Sequence, residues 1–313
     1  MKLKRLTALL LSVMLVLSLA ACGGGKDAKD DSADGDLSGK EIIIGNITPV
    51  TGAQAAYGLA ITNSIQLAID EINAAGGILG ATVKLSTKDD QGTPAEAVSG
   101  FNSLLSEGAA AIIGATLSSC TSAITSLADD EGIVLVTPSS TADSITTTDD
   151  YVFRSCFKDS FQGEMVAAYA KDQGWTKAAV LYATGDTYSS GLHDSFVKAA
   201  EKYGIEIVCE QSSSDTGAVD FSSQLATIAA SGADMLFAPY YYDAVGPKII
   251  PQAREAGFKG AIMGCDGFDG TQDYTTGDLS AYENVYFTNH YSPEDSSEIV
   301  QSYVKNYTEK YGS

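Results

Sequence analysis

The sequence predicts an α/β protein of two lobes, each built on a parallel-rich central sheet with helices covering it. Three observations predict this. Short β-branched runs alternate with longer amphipathic ones, as strands alternate with the helices that cover them. The alternation pauses near residue 150 and restarts after residue 160. Finally, the stretch from Glu41 to Ser313 exceeds the ~100–200 residues that one domain usually holds.

In the first lobe, "EIIIGNI" (41–47), "TVKLSTKD" (82–89), "AAIIGA" (110–115) and "GIVLVTP" (132–138) read as strands. Between the first two, Ala60, Ile61, Ser64, Ile65, Ala68, Ile69 and Ile72 recur at spacings that form one helix face over 56–75, which Gly76-Gly77 ends. Thr93 opens a second helix, with Glu96 three residues on as in a capping box. A third helix is expected over 120–131. The second lobe repeats the rhythm: helix 161–173, strand 178–183, helix 189–203, strand 205–210, helix 220–230, strand 234–239, helix 244–256 and strand 260–264. Residues 149–160 read as the crossing between lobes and 284–295 as the return. Lobe 1 is therefore expected over 41–158 plus 292–313, and lobe 2 over 159–291. One helix, 294–311, follows the return. A βα unit that ends on its helix lacks the strand that the helix should cover, so the sequence reads as C-terminally incomplete.

The N-terminus "MKLKRLTALLLSVMLVLSLAAC" has a basic start, an apolar run from Leu6 to Leu19 and small residues before Cys22, the order of an export signal over 1–22. It is too short for a confident membrane span, which takes roughly 20 apolar residues. "LAAC" resembles the bacterial lipoprotein cleavage box, which would make Cys22 the lipidated N-terminus. Residues 23–40, "GGGKDAKDDSADGDLSGK", have almost nothing to bury and read as a flexible linker. The formal charge is 19 − 40 = −21, with no basic cluster outside the signal, which argues against nucleic acid or an anionic lipid surface as partner. Cys120, Cys156, Cys209 and Cys265 contain no C-x-x-C pair, so neither a metal nor a dithiol site is supported. Buried free thiols are the plainer expectation.

Open parallel sheets bind ligands at the carboxyl ends of their strands. In "IIGATLSSCT" (112–121), Ser118, Ser119, Cys120 and Thr121 follow a strand where a helix should begin, and "TPSST" (137–141) presents Ser139, Ser140 and Thr141 after the next strand. Free N–H groups, a helix start and hydroxyls suit a carboxylate. The alternative, that these residues only cap helices, is weakened because two adjacent strand ends share the chemistry. Catalysis lacks a base: neither His193 nor His290 completes a triad by a recognisable motif, and no serine sits in G-x-S-x-G. The second lobe offers Tyr188, Tyr240, Tyr241, Tyr242 and a glycine-flanked acid, Asp266, at its own strand ends. A carboxylate seat facing an ammonium acceptor describes an α-amino acid.

The segments "IIIGNITPVTGAQAAYG", "AIDEINAAGGILGATVKLSTKDDQGTPAEAV", "IIGATLSSCT", "DEGIVLVTPSST", "DTYSSGL" and "QAREAGF" resemble, in order and across both lobes, the type 1 periplasmic solute-binding proteins of ABC importers, branched-chain amino acid group. The resemblance implies two Rossmann-like lobes joined by crossover hinge strands. It also implies a ligand set of Tyr57, Leu117, Ser118, Ser139, Ser140, Thr141, Tyr188, Tyr241 and Asp266. Ser118 and the backbone at Ser139 and Thr141 would hold the ligand's charged ends from the first lobe, Tyr57 would shape the side-chain pocket, and Asp266 would take the ammonium. The implied partners are a small neutral amino acid of the branched-chain kind and the permease and ATPase subunits of an importer, with the membrane reached only through the N-terminal lipid. The implied location is extracytoplasmic. No catalytic residue, metal or cofactor is expected. Three departures stand out: Asp266 replaces a Glu, Cys120 replaces a common Ser, and the family normally continues beyond residue 313. The competing readings are a sensing receptor of the same fold, a binder of urea or a short amide, and a hydrolase using Ser118 or Cys120.

Overall fold

The computed structural model describes residues 35–147 and 150–312. The expected signal, Cys22 and most of the linker lie outside the described residues. The linker's end does not hang free: Leu37 N donates to Leu79 O at 2.7 Å, and Thr82 N donates to Lys40 O at 3.0 Å.

Two five-stranded sheets organise the chain, and every strand pair is parallel. The first contains β1 (Glu41–Thr48), β2 (Thr82–Asp89), β3 (Ala111–Ile113), β4 (Val134–Thr137) and β5 (Val152–Arg154), in the order β2-β1-β3-β4-β5. The second contains β6 (Lys177–Ala183), β7 (Glu206–Ser213), β8 (Met235–Phe237), β9 (Ala261–Gly264) and β10 (Val285–Phe287), in the order β7-β6-β8-β9-β10. Counted from its own first strand, each sheet runs 2-1-3-4-5. This is a doubly wound order whose connections part at the first and third strands, and ligands bind at the carboxyl ends there. The crevice should therefore lie beyond β1 and β3 in one lobe and beyond β6 and β8 in the other.

Nine labelled helices support these strands: α1 (Ala55–Ala74), α2 (Pro94–Ser106), α3 (Ser118–Ser122), α4 (Thr125–Glu131), α5 (Asp159–Asp172), α6 (Thr187–Tyr203), α7 (Ser222–Ala230), α8 (Ile250–Glu255) and α9 (Glu298–Tyr311). Thr93 caps α2 by accepting from Glu96 N, and Pro94 follows at the first helical position, where its missing N–H costs nothing. The reciprocal half of the capping box is absent, since Thr93 N donates to Asp90 O instead. Phe101, Leu104, Ile112 and Leu135 pack fully buried, and one apolar cluster continues from these into Val180, Phe196, Phe237 and Met263 of the second lobe. The other face of the second sheet has its own cluster around Phe221, Leu225, Ile249 and Ile262.

Two expected helices differ. The one foreseen over 120–131 is broken into α3 and α4. Thr121 Oγ1 donates back to Leu117 O and Ala115 O, and Thr125 Oγ1 to Ser122 O, and such back-bonding competes with a helical ladder and bends it. The one foreseen over 244–256 opens as Tyr242–Ala244 and a π-turn, Val245–Ile249, before α8. Pro247 and Pro251 remove two N–H donors from this stretch, and a π-turn accommodates the interrupted ladder.

Both crossings begin as the fifth strand of the sheet they leave. β5 pairs with β4 before the chain enters α5, and β10 pairs with β9 before the chain returns to α9. α9 lies against α1 through polar contacts: Tyr303 OH is 2.7 Å from Ser64 Oγ, Asn63 donates to Tyr307 OH at 3.2 Å, and Lys310 pairs with Asp70. None of its described residues is buried.

Candidate ligand-binding cleft

A cavity of about 260 Å³ opens at the strand ends named above, between the lobes. That is just under the ~300–1,000 Å³ of pockets for drug-sized ligands, which fits a smaller molecule. Of the candidate residues, Tyr57, Leu117, Ser118, Ser139, Tyr188, Tyr241 and Asp266 line it. Ser140 and Thr141 do not, and both are buried behind the wall.

The first-lobe wall starts at the end of β3. Leu117 occupies the cap position of α3 with no side-chain cap bond, so none of the neighbouring hydroxyls is used as an N-cap. α3 has only five residues, so what it offers a carboxylate is its free N–H groups more than a helix dipole. Ser118 Oγ accepts from Ala142 N at 3.3 Å, which leaves its own proton to donate. Ser139 Oγ donates to Thr116 O at 2.7 Å. The Ser140 hydroxyl is spent on the frame, 2.6 Å from Thr121 Oγ1 and 3.1 Å from both Ala115 O and Thr116 O. Cys120 is fully buried, and burial, with the nearby Asp90 charge, pushes its thiol well above the usual range. A thiol held protonated is a poor nucleophile.

The second-lobe wall is an organised acid. Asp266 Oδ1 accepts from Gln162 Nε2 at 2.8 Å and from Tyr188 OH at 2.9 Å, and its backbone N donates to Gln162 Oε1 at 3.1 Å. Tyr188 stacks on Tyr241 with ring centres 4.9 Å apart, and burial raises both phenols far above their usual value. Behind this wall, burial and then the Asp266 charge push the Asp159 carboxyl well above the usual carboxylate range. Three buried polar atoms here have no hydrogen-bond partner among the described residues: Thr141 Oγ1, Tyr241 OH and Asp159 Oδ2. Such atoms are uncommon in native structures and call for an explanation.

The lobes meet across the cleft. The Tyr57 hydroxyl lies 2.9 Å from both Gly267 O and Asp269 O, Tyr242 OH donates to Ala53 O at 3.0 Å, and Gln54 Nε2 donates to Asp243 Oδ1 at 2.9 Å. Sequence reasoning missed the contribution of the return crossing: Asn289, His290 and Tyr291 line the cavity, as does Tyr303 of α9. In the sequence His290 points to nothing beyond a candidate base. A polar-aromatic cluster in a crossing segment was the signal available. Among the described residues lining the cavity there is no Lys or Arg, whereas Asp266 and Asp269 are both present.

Two parallel doubly wound lobes closing on a small cavity of this chemistry define a solute-binding protein, and the chain belongs to the periplasmic binding protein family, whose model matches residues 41–313. Among relatives, it is 32% identical over 251 residues to a Leu/Ile/Val-binding protein homolog of Brucella melitensis, covering 80% of this chain and 67% of that one. It is similar to the branched-chain amino acid transporter substrate-binding protein LivJ of Streptococcus pneumoniae, solved with isoleucine: TM-score 0.79, 32% identity, 88% of this chain and 78% of that one. The fold is also shared with a solute-binding protein of an ABC transporter from Rhodopseudomonas palustris, solved with 3,4-dihydroxybenzoic acid: TM-score 0.76, 22% identity, 87% and 74% covered. The fold thus serves amino acids in some proteins and aromatic acids in others, and the family places the chain outside the cytoplasm.

Proposed function

We propose that this protein captures a small neutral amino acid of the branched-chain kind between its two lobes and hands it to the permease of an ABC importer, while anchored to the membrane surface through a lipid on Cys22. The residues of lobe 1 (41–158 and 292–313) bind the carboxylate through Ser118 and the backbone at Leu117 and Ser139, with Thr141 behind them, and those of lobe 2 (159–291) bind the ammonium through Asp266. Ser140 braces this seat from behind.

The observation that carries the reading is the cavity's charge. It holds an acid fixed by Tyr188 and Gln162, and among the described residues no lining Lys or Arg. A ligand with an ammonium is favoured there, and a buried charge left unpaired is costly. A ligand whose only charge is a carboxylate, such as an aromatic acid, would bring a second anion beside Asp266 and Asp269. The unpartnered Tyr241 OH, on the cavity wall, is the kind of group a bound zwitterion satisfies. Among the described residues Ser118 Oγ has Ala142 N as its partner and no basic side chain, and His290 faces Asp266, so the geometry gives hydrolysis no support.

Calorimetry with leucine, its amide and isocaproate tests this. Leucine should bind, with isocaproate and the amide each at least about 100-fold weaker, since losing the partner of a buried charged group costs about 3 kcal/mol or more. Equal affinity for all three would sink the amino-acid reading, whereas binding of leucine undiminished by Asp266→Ala would show that the assigned acid is wrong.

A further inference from the structure

Asp266 has a further neighbour besides Tyr188 and Gln162, one on the return crossing. Its Oδ2 lies 3.5 Å from Nε2 of His290, on the return crossing, while Oδ1 is already occupied by Tyr188 and Gln162. The imidazole is held in place from behind by the first crossing, where the Phe157 ring lies at 4.0 Å between centres, tilted by 30°. It also lines the cavity. The carboxylate oxygen left for a ligand's ammonium is therefore the one an imidazolium would claim.

We propose that His290 sets the charge that the ligand must carry: neutral, it leaves Asp266 Oδ2 to an ammonium, and protonated, it occupies that carboxylate and turns ammonium-bearing ligands away. This rests on the amino-acid reading above and adds to it a pH-dependent selector. The ionisable groups around the imidazole are mostly acidic. The loop after β9 brings Asp266 and Asp269, and α5 brings Asp159. The first crossing brings Cys156, the exposed Lys158 and Arg154, whose guanidinium is committed to Ser140 O, Ala142 O and Thr146 Oγ1. Tyr57, Tyr188, Tyr241, Tyr291 and Tyr303 complete the surround with phenols. An imidazolium and a ligand's ammonium would face the same anions and compete for them. Since ligand binds the neutral form, binding drives the proton from His290 to buffer, and affinity falls as the pH falls.

The test is calorimetry of leucine on the whole chain and on His290→Gln at about pH 7.5 and about pH 5.5, with proton release read from two buffers of different ionisation enthalpy. The wild type should weaken at least about tenfold at the lower pH, the smaller end of what one charge does to another a few ångströms away, and should release protons on binding. His290→Gln should lose most of the drop between the two pH values, whatever its affinity at the higher one. The sequence has only one other histidine, His193, which lies between Asp194 and Glu210 away from the cavity and serves as the control in His193→Gln. Leucine binding that is flat with pH and releases no proton, or a drop that survives in His290→Gln, overturns the proposal and leaves the amino-acid reading standing. No leucine binding at either pH overturns both. If His290→Gln does not fold, His290→Asn takes its place in the same comparison.

Discussion

Asp90 shows how much one buried side chain can carry. It is fully buried in the turn after β2, one carboxylate oxygen accepting from Gly92 N at 2.9 Å and the other without a hydrogen-bond partner among the described residues. Burial pushes its carboxyl up to about 6. A carboxyl raised in the folded state contributes stability that is full below its ordinary value and lost as the pH rises through the raised one. Asp90→Asn keeps the acceptor for Gly92 N and removes the charge. It should stabilise the protein by up to about 3 kcal/mol above pH 6, and the gain should vanish near pH 4. Urea unfolding at several pH values checks this, and a gain independent of pH would refute it. Of the site residues, Asp266 was legible in sequence because an acid between glycines at a strand end has few structural uses. The bracing role of Ser140 was not, since its neighbours in sequence carry the same hydroxyl and only the fold decides which of them faces inward.

At the scale of elements, the turn from β3 into α3 depends on Gly114. Its φ of +144° lies in the region that favours glycine, and a Cβ there would meet Ile47 O of β1 at 2.5 Å. Gly114→Ala should cost about 3 kcal/mol or more, from backbone strain and from overpacking against a neighbouring strand. The expected reading is a lower urea midpoint at unchanged slope. Strands and the longer helices were legible because the hydrophobic period and caps mark them: "TVKLSTKD" is β2 residue for residue, and Thr93 does cap α2. The break between α3 and α4 was not, because it depends on where the hydroxyls of Thr121 and Thr125 find acceptors.

At the scale of the molecule, closure depends on contacts that no ligand makes. Tyr242 lies outside the cavity lining, yet its hydroxyl bridges the lobes, donating to Ala53 O and accepting from Ala56 N at 3.3 Å. If binding and closure are coupled, Tyr242→Phe should weaken leucine binding by about 3- to 10-fold, one or two ordinary hydrogen bonds, although it removes no ligand contact. Calorimetry against the wild type is the check. Affinity unaltered by the change would mean that the closed state gains nothing from this bridge.

The sequence by itself determined the class of the fold, the repeat of one βα rhythm in two lobes, and most of the residues that line the cavity. Periodicity and strand-end position are local properties, and the topology rule converts them into a place for the ligand. What only the tertiary structure decided is which groups meet from distant parts of the chain. Gln162 and Tyr188 fix Asp266 across 104 and 78 residues, and the return crossing sets His290 beside it and against Phe157. Those contacts depend on how two lobes pack at their hinge, and no spacing in a sequence encodes that geometry.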